Sequence, residues 1–197
     1  MCPTPGELEL FAGQEEVEIM PRFDSPVMWL IGGDLGPFKA GIPTKVPLWI
    51  ALHLRAQNKC KIVPLPWLNK AYLEQLKDIE IKSALFTKMP SEHYMAVTRM
   101  IFEVCPQDIP EADDVKLLIK DIWDSRMSKL RTAVRTFIDK GASWAKVDNL
   151  TQLEMCSIRP FFTHSLEQLH RFRKTIQVAR LYAAGNSSED VRRRLRM

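Results

Sequence analysis

The chain has 197 residues, of which 46% are hydrophobic and 26% are charged, and it carries a formal net charge of +4. This composition argues against a disordered chain and predicts one domain, or one domain with a small appendage. No apolar stretch approaches the roughly 20 residues that span a bilayer, so we expect a soluble protein.

The N-terminal segment is acidic, with five glutamates between residues 7 and 18 and no basic region. We therefore expect no secretory signal and an intracellular protein. Four cysteines are widely spaced and include no C-x-x-C pair, which in a reducing compartment predicts buried thiols. They are Cys2, Cys60, Cys105 and Cys156.

Up to Pro64 the sequence is typical of short strands and turns. Alternating apolar residues predict strands at 17–20 and 60–65, and the apolar run 27–31 predicts a buried strand. One helix, at 47–56, is expected to interrupt the strands. We therefore expect a small β-rich domain over residues 1–64, which at this size should depend on a neighbouring domain for stability.

The segment from Leu30 to Trp49 begins like a nucleotide-binding loop, because an apolar run leads into closely spaced glycines. Phosphate-binding loops open a helix with Gly-Lys-Ser/Thr or G-x-G-x-x-G, whereas prolines follow here and prevent that helix. We expect a structural loop that positions Phe38 and Trp49 for packing and binds no nucleotide. Its residues are Gly32, Gly33, Asp34, Gly36, Phe38 and Trp49.

After Pro64-Leu65-Pro66 the apolar period lengthens to that of helices, which predicts a helical domain over residues 65–182. Two short helices are expected first. Their apolar stripes are Leu68, Tyr72, Leu76 and Ile79 for one helix, and Tyr94, Val97, Ile101 and Cys105 for the other.

The third helical segment is the longest. Asp108 and Glu111 have the spacing of a capping box and Gly141 is placed as a C′ residue, which predicts a helix of about 32 residues, or ~48 Å. Because the helix is longer than its neighbours, we expect part of its apolar face to meet another chain. The interface candidates are Ile122, Trp123, Leu130, Arg131 and Phe137.

The fourth helix is expected to begin near Asp148, to kink or break at Pro160, and to end its apolar stripe near Ile176. Residues 183–197 are expected to form a disordered tail after a linker at 185–188. From residue 171 onward there are eight Lys/Arg and two Asp/Glu, so the preceding chain is net acidic. A weak nucleic-acid contact would therefore lie at Arg192, Arg193, Arg194 and Arg196.

Sequence motifs for catalysis are missing. The four histidines have no metal-ligand spacing, and no G-x-S-x-G or H-E-x-x-H pattern occurs. We therefore expect a protein without enzymatic activity, metal or cofactor. The alternatives are a stand-alone nucleic-acid-binding helical protein acting through its arginine tail and, less favoured, an enzyme binding a phosphorylated ligand at residues 32–36.

Seven segments, in chain order, resemble the Psf-two-type subunits of the eukaryotic GINS complex. They are MPRF (20–23), LIGGDLGPF (30–38), VPLWIALHL (46–54), CKIVPLPWL (60–68), FTKMPSEHYM (86–95), IKDIWDSRMSKLR (119–131) and KVDNLTQLEMCSIRPF (146–161). The signatures WD-x-R-x-x-KLR and DNLT-x-x-E are the most specific. The resemblance covers residues 17–178 and leaves out the acidic N-terminus and the tail.

The resemblance implies an α+β, mainly α fold in which a small β-rich B-type domain precedes a helical A-type domain. It also implies a heterotetramer with three other GINS subunits in the nucleus. That tetramer would join the MCM helicase ring and a RecJ-like cell-division-cycle protein. ATP hydrolysis would belong to MCM, so the chain itself would be a scaffold without catalysis or cofactor.

Overall fold

A computed structural model describes residues 3–30, 32–140 and 148–194 of the chain. The fold is α+β and mainly helical, with a small β-rich part before the helices, as predicted. In the described residues the strands are β1 Glu16–Pro21, β2 Met28–Leu30, β3 Gly33–Leu35, β4 Thr44–Pro47 and β5 Cys60–Ile62. The helices are α1 Pro5–Gly13, α2 Leu48–Ala56, α3 Lys70–Lys82, α4 Tyr94–Val104, α5 Ala112–Lys140 and α6 Gln152–Arg194. None of the helical residues searched forms a span suited to a bilayer.

The β-rich part contains two separate sheets. β1 is the central strand of an antiparallel sheet ordered β4-β1-β5, and its alternate residues are buried, which confirms the predicted strand at 17–20. β2 and β3 form a hairpin of their own. The prediction of a buried strand at 27–31 is wrong, because all three residues of β2 are exposed. No second layer covers that face of the hairpin in the described part of the chain.

Helix α1 was not predicted. Thr4 and Glu7 form a capping box, and the helix packs on α4 through the buried residues Leu8 and Ala12. An ion pair between Glu9 and Arg99 joins the two helices. Apolar residues occur on several faces of α1, so the sequence shows no clear helical stripe.

The helices of the second half pack in a defined direction. Lys70 pairs with Asp114 and Lys77 with Asp121, so α3 runs parallel to α5. The predicted stripe on α3 is partly wrong. Tyr72 and Ile79 are exposed, whereas the buried face consists of Leu73, Leu76 and Glu80.

Helix α5 begins later than predicted. Asp108 closes a single 3-10 turn and does not cap the helix, and Glu111 has a φ of +51° immediately before Ala112. The Asp108 carboxylate instead accepts hydrogen bonds from Arg55 on α2, at 2.7 and 3.2 Å, and from the Ile62 N–H of β5, at 3.1 Å. Asp108 therefore joins the β-rich part to the helical part. The expected C′ residue, Gly141, lies outside the described residues.

Helix α6 also differs from the expectation. It begins at Gln152 and continues past Pro160, so the predicted break is not observed there. An interior proline removes one backbone hydrogen bond and can bend a helix without ending it. Helix α6 continues through residues 185–188 to Arg194, so the expected linker is not observed. A single glycine costs a helix about 1 kcal/mol, and the residues around it include strong helix formers.

Replacing Asp108 with Asn should loosen the junction between the two parts, because a neutral amide binds the Arg55 guanidinium more weakly than a carboxylate does. We expect the Ile62 amide and its β5 neighbours to exchange hydrogen at least about 10-fold faster, which corresponds to roughly 1.4 kcal/mol. Hydrogen exchange with mass spectrometry would measure this change. The exposed Asp78→Asn is the control, and equal protection of β5 in both variants would contradict the assigned role.

Candidate subunit interface

A buried arginine on α5 organises the helical part. Arg126 is fully buried, and all five of its N–H donors are used. Its Nε and Nη2 donate to the Glu154 carboxylate at 2.6 and 2.9 Å, and Nη1 donates to Glu80 at 3.0 Å. The carbonyls of Thr87 and Asn149 accept the remaining two bonds, at 2.9 and 2.7 Å. One side chain therefore connects α3, α5, the start of α6 and two loops.

A second cation completes this ion network. Lys129 Nζ donates to the Glu80 carboxylate at 2.6 Å, and it also donates to the carbonyls of Glu80 and Ser83 at 2.6 and 2.9 Å. Together with Arg126 and Glu154, these side chains carry two positive and two negative charges. The network is therefore neutral, which is the condition under which charges can be buried at acceptable cost.

The pKa shifts agree with this arrangement. Burial alone would raise the pKa of Glu80, but hydrogen bonds from Lys129 and Thr87 hold it below its usual value. Burial alone would lower the pKa of Arg126, but the hydrogen bonds to the Glu154 carboxylate and its negative charge raise that pKa above its usual value. Burial, and then the negative charge of Glu154, raises the pKa of the Tyr94 phenol, whose hydroxyl donates to Glu154 at 3.4 Å. These directions keep Glu80 and Arg126 charged and Tyr94 neutral at neutral pH.

The network sets the direction and register of α6. Glu154 lies level with Arg126, and further along the two helices the Phe162 ring packs on Phe137 at 5.4 Å. Helix α6 therefore runs parallel to α5. Because Phe137 lies near the end of α5, the remainder of α6, from residue 163 to 194, extends about 48 Å past it.

The extending part of α6 carries apolar residues that the described chain does not cover. Phe172 is 63% exposed and Ile176 is 51% exposed. They continue, at helical spacing, the stripe with which Ile158 and Phe162 pack against α5. Leu166 and Leu169 lie between them on the same stripe. We call Leu166, Leu169, Phe172 and Ile176 the α6 stripe.

Two open grooves lie along one side of α5. The first, between α4 and α5, contains the exposed Leu117 and the buried Thr98 hydroxyl, which has no hydrogen-bond partner. The second, between α5 and α6, is lined by Trp123, Arg131 and Phe161, among other residues. On α6 the second groove extends to Ser165 and Gln168, which are next in sequence to Leu166 and Leu169 of the α6 stripe.

The predicted interface candidates on α5 occupy different positions. Ile122 and Leu130 are buried in the chain's own cores, at 1% and 6% exposure, so these two predictions are wrong. Trp123 and Phe137 are half-buried and pack inside the chain, whereas Arg131 is exposed in the second groove. More of the exposed apolar surface lies on α6 than on α5, because the chain's own cores bury the large apolar residues of α5 from Val115 to Val134 other than Leu117, Leu118 and Trp123.

The predicted structural loop is partly supported. Phe38 is 1% exposed and packs on Phe23 at 5.5 Å, while Gly33 and Gly36 have φ values of +132° and +99° that favour glycine. Asp34 and Gly32 are exposed within the same hairpin. Trp49 does not pack there, because it is 55% exposed on α2.

The arginine tail falls on the end of α6. Arg192, Arg193 and Arg194 are part of the helix, but their side chains lie outside the description, and Arg196 lies outside the described residues altogether. The predicted nucleic-acid contact therefore stays a prediction.

Sequence reasoning missed Arg126, Glu80 and Glu154. All three occupy positions on apolar helical stripes, where a charged residue predicts a buried partner of opposite charge. Arg126 belongs to the WD-x-R-x-x-KLR signature and Glu154 to the DNLT-x-x-E signature. The two signatures thus contain the two halves of one buried ion pair.

The described residues contain no cluster of side chains suited to a metal ion. Cys60 and Cys105 are buried free thiols, as predicted. Burial, assisted by the negative charge of Asp108, raises the pKa of Cys105 to about 11, so the thiol is protonated and poorly nucleophilic at neutral pH.

Two family models match the chain in sequence. Residues 4–63 match the PSF2 N-terminal domain, and residues 67–173 match the GINS complex protein helical bundle domain. The first match includes most of the acidic N-terminus, which the resemblance by motif had left out.

Similar proteins span nearly the same length. A probable DNA replication complex GINS protein PSF2 from Drosophila melanogaster is 44% identical over 87% of this chain and 84% of its own length. The DNA replication complex GINS proteins PSF2 of Xenopus laevis and Homo sapiens are 41% and 40% identical, over 87% of this chain and 92% of theirs.

Replacing Arg126 with Met should destabilise the helical part by about 3–5 kcal/mol, because two buried carboxylates lose their partner. For a chain of this size, we expect the melting temperature to fall on the order of 10 °C. Differential scanning calorimetry on the co-purified assembly would measure the change. The control is Arg22→Met, at an exposed position in the β-rich part, and a similar melting temperature for both variants would contradict the role of the network.

The stability of the chain should depend on Glu80 in acid. Because its folded pKa lies below the ordinary 4.5, its contribution is complete above that pH and is lost as the pH falls through the folded value. Glu80→Gln should therefore show a flatter loss of stability below pH 4.5 than wild type. Unfolding by urea across this pH range would measure it, with the exposed Glu74→Gln as control. Parallel curves for wild type and Glu80→Gln would disprove the assignment.

Proposed function

The chain belongs to the PSF2 family of DNA replication GINS complex subunits, and on that premise we propose that it is a non-catalytic structural subunit of the GINS heterotetramer. The tetramer would act as an accessory factor of the MCM helicase ring during initiation and elongation of DNA replication. A RecJ-like cell-division-cycle protein would be the third member of the assembly. The site of action would be the nucleus.

The observation that carries this proposal is the α6 stripe. Fully burying a Leu, Ile or Phe side chain contributes about 1.5–3 kcal/mol, and here four such residues lie along a part of the helix that extends past α5. Contiguous exposed apolar surface of this kind marks a protein interface. We assign the stripe to contact with another GINS subunit.

The charges on α6 indicate the chemistry of that subunit. Between residues 159 and 180, α6 carries five Lys or Arg residues and one acidic residue, Glu167. A partner helix with an apolar stripe and acidic flanks would match this surface. Arg131, in the adjoining groove, adds a further positive charge that such a partner could pair.

A scaffold role is supported by the use of the buried charges. In the described residues the carboxylates and guanidinium of the Arg126 network are paired with one another and closed to solvent. A general acid or base must reach a substrate, and neither Glu80 nor Glu154 can do so. These charges stabilise the fold and leave no open catalytic pair.

We retain the division into a β-rich domain, residues 1–64, and a helical domain, residues 65–182, as a proposal. The two family matches adjoin between residues 63 and 67, which supports the first boundary. Because α6 continues to Arg194, the boundary after residue 182 does not end the helix. We propose instead that it divides the part of α6 that contacts a subunit from the arginine-rich part. A weak DNA contact would then belong to its last, arginine-rich turns.

Replacing both Phe172 and Ile176 with Glu should prevent assembly, because two charges would enter the apolar contact. We expect wild type to aggregate when expressed alone and to form a soluble heterotetramer when co-expressed with the other three subunits. Size-exclusion chromatography with mass measurement would detect the loss of this species. The control is Thr163→Glu together with Thr175→Glu, which adds the same two charges at exposed positions away from the stripe and removes no basic residue. Loss of assembly in both double variants would argue against a stripe-specific interface.

A further inference from the structure

The outer face of the β4-β1-β5 sheet is open to solvent. Along β1, Val17 and Ile19 are buried in the core, whereas Glu16, Glu18 and Met20 alternate with them and are exposed. The exposed residues therefore share the face of the sheet that points away from the core. No other element of the described chain covers that face.

Three cations lie together at one end of this face. The register pairs Met20 with Lys61, and the Arg22 N–H donates to the Lys59 carbonyl at 2.8 Å, so the pairing continues one residue past both strands. Arg22 is therefore directly opposite Lys59, and Lys61 is two residues from Lys59 on the same face. All three are exposed. We call Arg22, Lys59 and Lys61 the cation patch.

The cation patch places like charges against each other. Like charges directly opposite in an antiparallel pair destabilise a sheet, so folding alone does not favour Arg22 across from Lys59. Among the described residues, none of the three cations belongs to an ion pair. A departure from local preference of this kind is expected at functional sites. A bound anion would neutralise the patch and remove the repulsion.

The carboxylates nearest in sequence to Arg22 have other neighbours. Glu18 is four residues away along β1, or about 13 Å, and the register places it directly opposite Lys45 on β4. The Asp24 carboxylate accepts a hydrogen bond from the Ala40 N–H at 2.7 Å. The anion that matches the cation patch must therefore come from another molecule.

The spacing of the patch fits a peptide that carries carboxylates. Residues two apart in a strand are about 7 Å apart, which applies to Lys59 and Lys61, and alternate side chains of an extended peptide repeat at the same distance. An arginine such as Arg22 can bind a carboxylate through two parallel hydrogen bonds. Met20, which is 40% exposed beside Lys61, offers an adaptable apolar contact between the charges.

A nucleic acid fits this surface less well. Residues 1–64 contain six Lys/Arg and seven Asp/Glu, a net charge of −1, so the β-rich part does not attract a polyanion from a distance. The exposed residues of the three strands include no aromatic ring on which a base could stack. Glu16 and Glu18 continue the same face and would repel a longer phosphate backbone.

We propose that the cation patch binds an acidic segment of a partner protein, with carboxylates at alternate positions of an extended chain. The segment lies across the face of the sheet and does not add a strand to it. The free edge of β5 is closed, because the Ile62 N–H donates to the Asp108 carboxylate at 3.1 Å. This contact goes beyond the proposed function, since it uses neither the α6 stripe nor the grooves along α5.

The test measures binding of a fluorescein-labelled peptide of four Glu-Ala repeats to the full chain in its co-purified assembly, by fluorescence anisotropy at low salt. A peptide of Gln-Ala repeats is the control probe. Lys59→Gln together with Lys61→Gln should weaken binding of the Glu peptide at least about 5-fold, and Arg22→Gln should weaken it as well. The matched control is Lys82→Gln with Lys88→Gln, which removes the same charge at exposed positions of the helical part and should not.

The melting temperature separates a binding role from a structural one. Because Lys59→Gln with Lys61→Gln relieves the repulsion from Arg22, we expect the melting temperature of that variant to stay the same or to rise by about 1–3 °C. A clear fall would show that these cations support the fold, and it would overturn the proposal.

Three binding results would also overturn it. If the Glu and Gln peptides bind equally, carboxylates are not recognised. If both double variants lose affinity equally, the peptide responds only to the overall charge of the assembly. If Lys59→Gln with Lys61→Gln leaves peptide binding unchanged but weakens binding of a single-stranded oligonucleotide, the patch contacts nucleic acid instead.

Discussion

The helical part of this protein depends on the burial of Arg126. A guanidinium that is buried away from water needs a hydrogen-bond acceptor for every N–H donor and a negative charge to neutralise it. Glu80, Glu154 and two loop carbonyls meet both conditions. Those groups come from four separate segments of the chain. Each segment must therefore be in place before the charge is satisfied, which selects one arrangement of the helices and penalises alternatives.

The position of α6 follows from this constraint. Glu154, in the first turn of α6, can reach Arg126 only if α6 starts level with the middle of α5 and runs parallel to it. The packing of Phe162 on Phe137 then uses the last turn of α5, and no helix of the described part of the chain covers Phe172 and Ile176 further along α6. An internal ion pair thus determines which apolar surface is available to a partner subunit.

Much of the fold could be predicted from local patterns. The alternation of Val17 and Ile19 gave β1, and the long apolar period gave α5, because both signals depend on residues close in sequence. The start of α5 was placed too early because Asp108 looks like a cap, whereas its partners, Arg55 and Ile62, are about fifty residues away. The interface was assigned to α5 for a similar reason: length shows that a helix has surplus apolar surface, but not which neighbours cover it.

The central claim, that α6 extends from a fixed start and lays its stripe against a partner subunit, can be measured by site-specific photo-crosslinking in the assembled tetramer. A photoreactive amino acid at Leu169, on the stripe, should crosslink to one GINS subunit in high yield. The same amino acid at Lys174, on the opposite face, should not. Equal crosslinking from both positions, or none from position 169, would contradict the account.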